Sequence, residues 1–245
     1  MMIDVIISQA RDFSASVMRI TKKQSDDNKA RVIASAARLF REKGFAGVGV
    51  ADVMRDAGMT HGGFYNHFES KDELEAEACG KALAGSIVKI SAIAVLTDER
   101  ERETAMAAYM RRYVSQKARD AAAPSCPMVA FSGEMPRQAA QVREAYALGL
   151  REYLAAFTQA GAGKAARQEA LARFAALAGA LILARSVARA DRKLSDEILE
   201  AANANLDRLE ANDAVARGRK ALTPARLPRP SARNPVRRGA SRGGS

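Results

Sequence analysis

From about Asn28 the chain carries apolar residues at helical spacing. Val32, Ile33, Ala36, Ala37 and Phe40 fall on one face, and Arg31, Arg38, Arg41 and Glu42 lie elsewhere. Gly44, after Lys43, offers the left-handed conformation that closes a helix, with Phe45 packing back. A second stripe, Val50, Val53, Met54 and Ala57, stops at Gly58. Only Met59 and Thr60 separate that stop from a very short third helix, His61 to His67. Thr60 is its expected N-cap, and Phe64 and Phe68, at i and i+4, anchor it. Ser70-Lys71-Asp72-Glu73 has the S-x-x-E spacing of a capping box and opens a longer helix.

Beyond it the pattern predicts one helix over roughly 98–119, a break at 123–127, a helix over 137–159 and another over 164–190. A last helix is capped by Ser195 and runs to about 211. Long period-two runs of Val, Ile and Thr are absent and Ala is abundant, so the expected fold class is all-α. The pattern divides the chain into an N-terminal extension (1–24), a small helical head (25–75), a larger helical region (76–211) and a tail (212–245). The extension ends in a short basic arm with Arg19, Lys22 and Lys23, and one reading takes Met18 as the true translation start. The tail holds four of the seven prolines together with Gly, Ser and Arg, a composition expected to stay disordered.

The net charge of +11 suggests an acidic partner, but its location weakens that inference. Residues 212–245 carry nine Lys/Arg against the single acid Asp213, whereas in 25–85 acids outnumber bases. Charge alone therefore does not argue for specific nucleic-acid binding. The two cysteines, Cys79 and Cys126, form no C-x-x-C pair, which fits a reducing cytoplasm and neither a disulfide framework nor a zinc site. No apolar run reaches the ~18 residues of a membrane span, and the first residues, with Asp4 and no basic start, do not read as a signal peptide. The two histidines, His61 and His67, lack the i, i+4 spacing of a helical metal site. With no G-x-S-x-G, P-loop or paired carboxylates either, neither an enzyme nor a cofactor is expected.

The informative stretch is Ala57 to Lys71. A helix, a tight Gly turn and a second helix of two turns cannot make a core unit, because so short a helix is marginal alone. Gly62 and Gly63 allow another surface to come close, and Thr60, His61, Tyr65, Asn66 and His67 supply groups suited to phosphates and base edges. Pattern alone leaves two readings open, a DNA-contacting helix and a generic capped short helix.

Residues 28–75 resemble the DNA-binding head of the TetR (tetracycline-repressor-type) family. The likeness rests on Leu39-Phe40-Arg41-Glu42-Lys43-Gly44-Phe45, on Val53 with Ala57-Gly58, and on the run from Met59 to Lys71. The resemblance implies a three-helix helix-turn-helix head followed by a larger helical ligand-binding and dimerisation domain. Further implications are a homodimer on a palindromic duplex DNA operator and a transcriptional regulator, most often a repressor, released by a small-molecule effector. It also implies phosphate contacts at Thr60, Tyr65 and Lys71, major-groove positions for His61, Gly62, Phe64 and Asn66, and His67 at the backbone end. Val48-Gly49 departs from the family's usual Thr-Ser or Thr-Thr, so no DNA contact is carried over to Val48.

The rest of the chain resembles the family more loosely. Ser125-Cys126-Pro127-Met128-Val129-Ala130, followed by Glu134, looks like a feature of one branch, and Cys126 invites a redox-sensing reading. Met106, Tyr109, Met110, Tyr113, Met128, Phe131, Tyr146 and Phe157 are candidates to line an apolar effector pocket, although such stripes also build ordinary cores. Leu171, Phe174, Leu177, Ala178 and Leu181 on one helix, with Ile198, Ala202 and Leu206 on the next, are the expected dimer stripe.

Overall fold

The computed structural model describes residues 2–121, 126–158 and 163–222, with side chains described within these from Lys22 to Asn212 and at Val215. The chain divides into two compact units, Met1–Leu206 and Asp207–Ser245. Among the described residues there is no strand. The helices are α1 (Met2–Lys43), α2 (Val50–Asp56), α3 (Lys71–Ala94), α4 (Glu99–Tyr113), α5 (Gln116–Asp120), α6 (Pro127–Ser132), α7 (Ala140–Thr158), α8 (Lys164–Val187) and α9 (Arg192–Leu222). Short 3-10 helices span His61–Asn66 and Met135–Arg137. The all-α expectation holds.

Several boundaries differ from the pattern. The extension expected over 1–24 is not a separate element: α1 begins at Met2, and no Pro or Gly interrupts it before Gly44. The single helix expected over 98–119 is two. Asp98 caps α4 by accepting from Glu101 N (2.8 Å), and Ser115 starts α5 afresh by accepting from Ala118 N (3.1 Å). A side chain that offers the backbone a competing hydrogen bond breaks the continuous helix there. The cap of α9 is Asp191, which accepts from Leu194 N (2.9 Å). Ser195 is instead fully buried inside the helix, and its hydroxyl donates to Ala184 O on α8 (2.7 Å). α9 continues past 211 to Leu222, and 223–245 lie outside the described residues.

One core runs along α3. Toward its start, Leu74 and Ala78 join Val32, Ala36, Phe40, Val53, Met54, Phe64 and Phe68 to close the head. Lys29 of α1 clamps the same region by pairing with Glu77 (2.7 Å) and lying 5.0 Å over the Phe68 ring. Farther along, Leu83 and Ile90 continue the same core, which also holds Tyr153, Phe174 and Leu181 of the larger region. Burying each such side chain contributes about 1.5–3 kcal/mol. At the crossing of α3 and α7, Gly149 faces Leu83 so closely that a Cβ there would lie 2.6 Å from Leu83 Cδ1 and 2.9 Å from its Cβ.

A polar knot joins α5, α8 and α9. The covered Arg119 guanidinium donates to Asp120 Oδ1 (2.9 Å), Ser195 Oγ (3.0 Å) and Asp196 Oδ1 (2.5 Å), and Arg192 also holds Asp120 (2.7 Å). Helix α8 is apolar over much of its length. Over an 18-residue window its mean hydropathy is 1.6, enough by length and composition to cross a membrane, although Arg173 and Arg185 punctuate it. Only 22 % of that window is buried within the chain.

Candidate nucleic-acid interface

The turn after α2 sets the geometry. Gly58 adopts φ +71°, its N–H reaches Arg55 O (3.1 Å) and the Met59 N–H reaches Met54 O (2.8 Å), the paired bonds that end a helix through a left-handed residue. The start of α2 lacks a side-chain cap at Gly49, as expected, but Asp52 compensates by accepting from Gly49 N (3.1 Å). The end of α2 is tied to α1 through Asp56, which accepts from Ser35 Oγ (2.6 Å) and pairs with Arg38. The Ser35 hydroxyl, and then the Arg38 guanidinium, hold the Asp56 carboxyl below its ordinary range.

The next segment is a 3-10 helix rather than an α-helix, six residues long. Thr60 stands exposed at its N-cap position without a side-chain cap bond. His61, Gly62, Tyr65 and Asn66 are exposed as well, Tyr65 at 70 %, and a Cβ on Gly62 would meet nothing of the protein within 4 Å. His67 is half-buried, its ring against Phe68. Phe64 is a correction. It is 1 % exposed and stacks on Phe68 at 5.3 Å, so its side chain holds the segment in place and cannot reach a groove. Val48, given no DNA role, is core.

Lys71 is committed within the protein. Its Nζ donates to Phe45 O (3.0 Å) and pairs with the buried Glu75 (3.1 Å). The rest of the α3 start is capped as expected, with Ser70 Oγ accepting from Glu73 N (3.1 Å).

A family model, "Bacterial regulatory proteins, tetR family", matches residues 32–78, the segment just described. Over those residues the chain is similar to the DNA-binding head of TetR-family regulators. The chain is also similar to the uncharacterized HTH-type transcriptional regulator YerO of Bacillus subtilis, 35% identical over 68 residues (28% of this chain, 24% of YerO). It is similar as well to the HTH-type transcriptional regulator TtgR of Pseudomonas putida, 38% identical over 58 residues (24% of this chain, 28% of TtgR). These alignments span about a quarter of either relative. The fold is shared more widely. The crystal structure of the reduced form of Escherichia coli NemR superposes with a TM-score of 0.60 over 74% of this chain and 95% of that one, at 23% identity.

The larger half sorts its candidate residues into three groups. Tyr109, Tyr113 and Phe157 share one aromatic cluster with Tyr153 and Phe174, which the pattern did not single out for it; the Tyr109 and Tyr153 hydroxyls lie 3.1 Å apart. Met106 is half-buried and Met110 buried on the same helix, α4. Tyr146 donates to Met128 O (2.9 Å) at the start of α6. Phe131 is a correction to the pocket expectation, since its ring packs at 4.8 Å on Phe45 of the head. Cys126 sits where burial pushes its thiol up, away from the reactive thiolate. Cys79, deeper in the core of α3, is pushed up to about 12 by burial.

The expected dimer stripe is also corrected. Phe174, Leu177, Leu181 and Leu206 face the chain's own core. Leu171, Ala178, Ile198 and Ala202 are exposed or half-buried, and the outward apolar residues beside them are Ile182 (38 %), Leu183 (57 %) and Leu194 (41 %). Helix α8 has apolar residues all round, so spacing alone cannot tell which of its stripes faces inward.

Sequence reasoning notes Glu134 only as following the 125–130 segment and gives it no role. Its carboxylate accepts from Phe45 N (3.0 Å) and Ala46 N (3.4 Å), at the turn where Gly44 takes φ +77°. No spacing rule points to it, because its partners lie 88 and 89 residues away.

Proposed function

We propose that the chain is a sequence-specific transcriptional regulator, a repressor, that binds a palindromic duplex operator as a homodimer in the bacterial cytoplasm and is released by a small apolar effector. The observation that carries this reading is the outward edge of the His61–Asn66 helix. His61, Tyr65 and Asn66 are exposed side by side while Phe64 and Phe68 pin the segment to the head, so polar groups are offered on a rigid support. In this reading His61, Gly62 and Asn66 meet base edges and Thr60 and Tyr65 meet phosphates, with His67 at the backbone end. Lys71 supports phosphate binding from a partly exposed position while bracing the Phe45 carbonyl.

Dimerisation is supported by α8, whose outward face is too apolar to leave in water. A second copy packed there sets two heads for half-sites about 34 Å apart. Effector binding in the larger half acts by favouring a different head spacing, and α6 is the path. One end meets Tyr146 at Met128 and the other meets Phe45 at Phe131, with Glu134 just beyond. The redox alternative at Cys126 is not favoured, because burial works against its thiolate.

The test is a mobility shift at physiological salt with the DNA upstream of the coding region, with and without unlabelled competitor. A competitor-resistant complex on a short palindrome supports the reading. A complex that competitor abolishes equally on every fragment, and that disappears when 212–245 are deleted, refutes it in favour of nonspecific binding by the basic tail.

A further inference from the structure

This inference deepens the effector reading above and rests on it. The Tyr113 side chain is 8 % exposed, yet its hydroxyl has no hydrogen-bond partner among the described residues. Buried polar groups are nearly always satisfied, so an unspent donor in the interior asks for an explanation. Its surroundings narrow the answer. The ring lies 6.5 Å from Tyr109 and 6.1 Å, edge-on, from Phe174, which in turn meets Tyr153 (5.1 Å) and Phe157 (5.9 Å, edge-on).

The Tyr109 and Tyr153 hydroxyls are engaged with each other at 3.1 Å, which leaves Tyr113 as the donor without an oxygen to meet. The Tyr113 hydroxyl interacts with the Cys126 thiol, whose sulfur is a soft and weak acceptor that does not satisfy it as an oxygen would. Burial pushes the hydroxyls of Tyr113 and Tyr153 up, so both keep their protons and remain donors. The cation recorded against these rings, Arg112, lies over the Tyr109 ring (5.7 Å) on an exposed turn of α4. Tyr109 and Met106 are only half-buried, so the cluster approaches the surface along α4.

We infer that Tyr113 is the hydrogen-bond donor to the effector, and that the effector is a small, neutral, aromatic molecule carrying an acceptor oxygen such as a ketone or ester carbonyl. Edge-on and tilted rings suit an aromatic guest, because ring edges and faces carry opposite partial charge. A neutral guest is dictated by the apolar walls, where an unpaired charge is costly. The acceptor is dictated by Tyr113, since a site with a buried unspent donor discriminates against an analogue that lacks the matching oxygen.

The experiment is a titration of the full chain, without DNA, with acetophenone and with isopropylbenzene, which has nearly the same shape and no acceptor, read by calorimetry or ligand-observed NMR. The expected result is about tenfold tighter binding of acetophenone. Tyr113→Phe should keep isopropylbenzene binding, lose the preference, and unfold at the same or a higher temperature. Equal binding of the two probes, binding of neither, or a preference that survives in Tyr113→Phe overturns the inference. So does a markedly lowered unfolding temperature of that variant, which would give the hydroxyl a structural partner. Because DNA is absent from the titration, its outcome is separate from that of the mobility shift on which the operator reading depends.

Discussion

The Glu134 carboxylate accepts the Phe45 backbone N–H at 3.0 Å, so the larger half of the molecule holds the turn between the first two helices of the head. The same residue is held at its other end by Lys71 Nζ on the Phe45 carbonyl (3.0 Å), and the Phe45 ring lies between Phe40 (5.0 Å) and Phe131 (4.8 Å). Removing the carboxylate leaves a partly buried N–H unsatisfied. Glu134→Ala should therefore cost about 1–3 kcal/mol in thermal or chemical unfolding. Glu134→Gln, which keeps an acceptor, should cost less. Amide exchange at Phe45 should speed up in the alanine variant, and unchanged exchange would mean the bond does not hold the turn.

Gly149 is where α7 meets α3. A methyl group there would overlap both Leu83 Cδ1 and Leu83 Cβ, and the second cannot swing away. Gly149→Ala should destabilise the protein by about 1–3 kcal/mol despite the better helix propensity of alanine. A higher melting temperature would show that the helices part at little cost.

Stability should fall in acid through Asp120. Arg119 first, and then Arg192, hold its carboxyl well below the usual carboxylate range. A carboxyl depressed in the folded state stabilises above its unfolded value, about pH 4, and that contribution is lost as pH falls through the folded value. Asp120→Asn should therefore lower the melting temperature at neutral pH and narrow the gap between neutral and strongly acidic conditions. Glu75 has the opposite sign. Burial raises its carboxyl, with Lys71 opposing, so its contribution is full below the unfolded value and lost as pH rises through the folded one.

Helix α8 offers a direct contrast between its two faces. Ile182→Glu with Leu183→Glu, on the outward side, should leave the fold intact and reduce the mass seen by light scattering to that of one 26.3 kDa chain, with loss of operator binding. Leu181→Ala, one residue away but 1 % exposed, should instead cost about 2–5 kcal/mol of stability. A double-glutamate variant that remains dimeric would place the interface elsewhere.

On the DNA side, Tyr65→Phe should weaken binding to all sequences alike, because a phosphate contact positions without reading. His61→Ala should change the preferred base at its position, with about 1–3 kcal/mol of discrimination at stake. Quantitative mobility shifts on operator and scrambled duplexes separate the two effects.

Much of the head was legible in the chain because its signals are local. Glycines at 44 and 58 end helices by backbone geometry, Ser70 caps the helix three residues before Glu73, and Phe64 with Phe68 lie four apart. Such rules act within a turn or two and survive without knowledge of the fold. They reached their limit where two local rules competed. Ser115 restarts a helix that the apolar pattern carried through, and Asp191 rather than Ser195 caps α9.

By itself, then, the sequence determined the all-α class, the order of helices in the head, and which polar residues stand beside its short third helix, because helix periodicity and capping are properties of neighbouring residues. Tertiary structure decided the rest. It turned Phe131, Phe174 and Leu181 inward, left Ile182 and Leu183 outward, gathered Tyr109, Tyr113 and Tyr153 into one cluster, and brought Glu134 to Phe45 across 89 residues. A helix with apolar residues on every side can be buried along any stripe, and a single carboxylate carries no mark of a distant partner. Only the packing of one helix against another settles both.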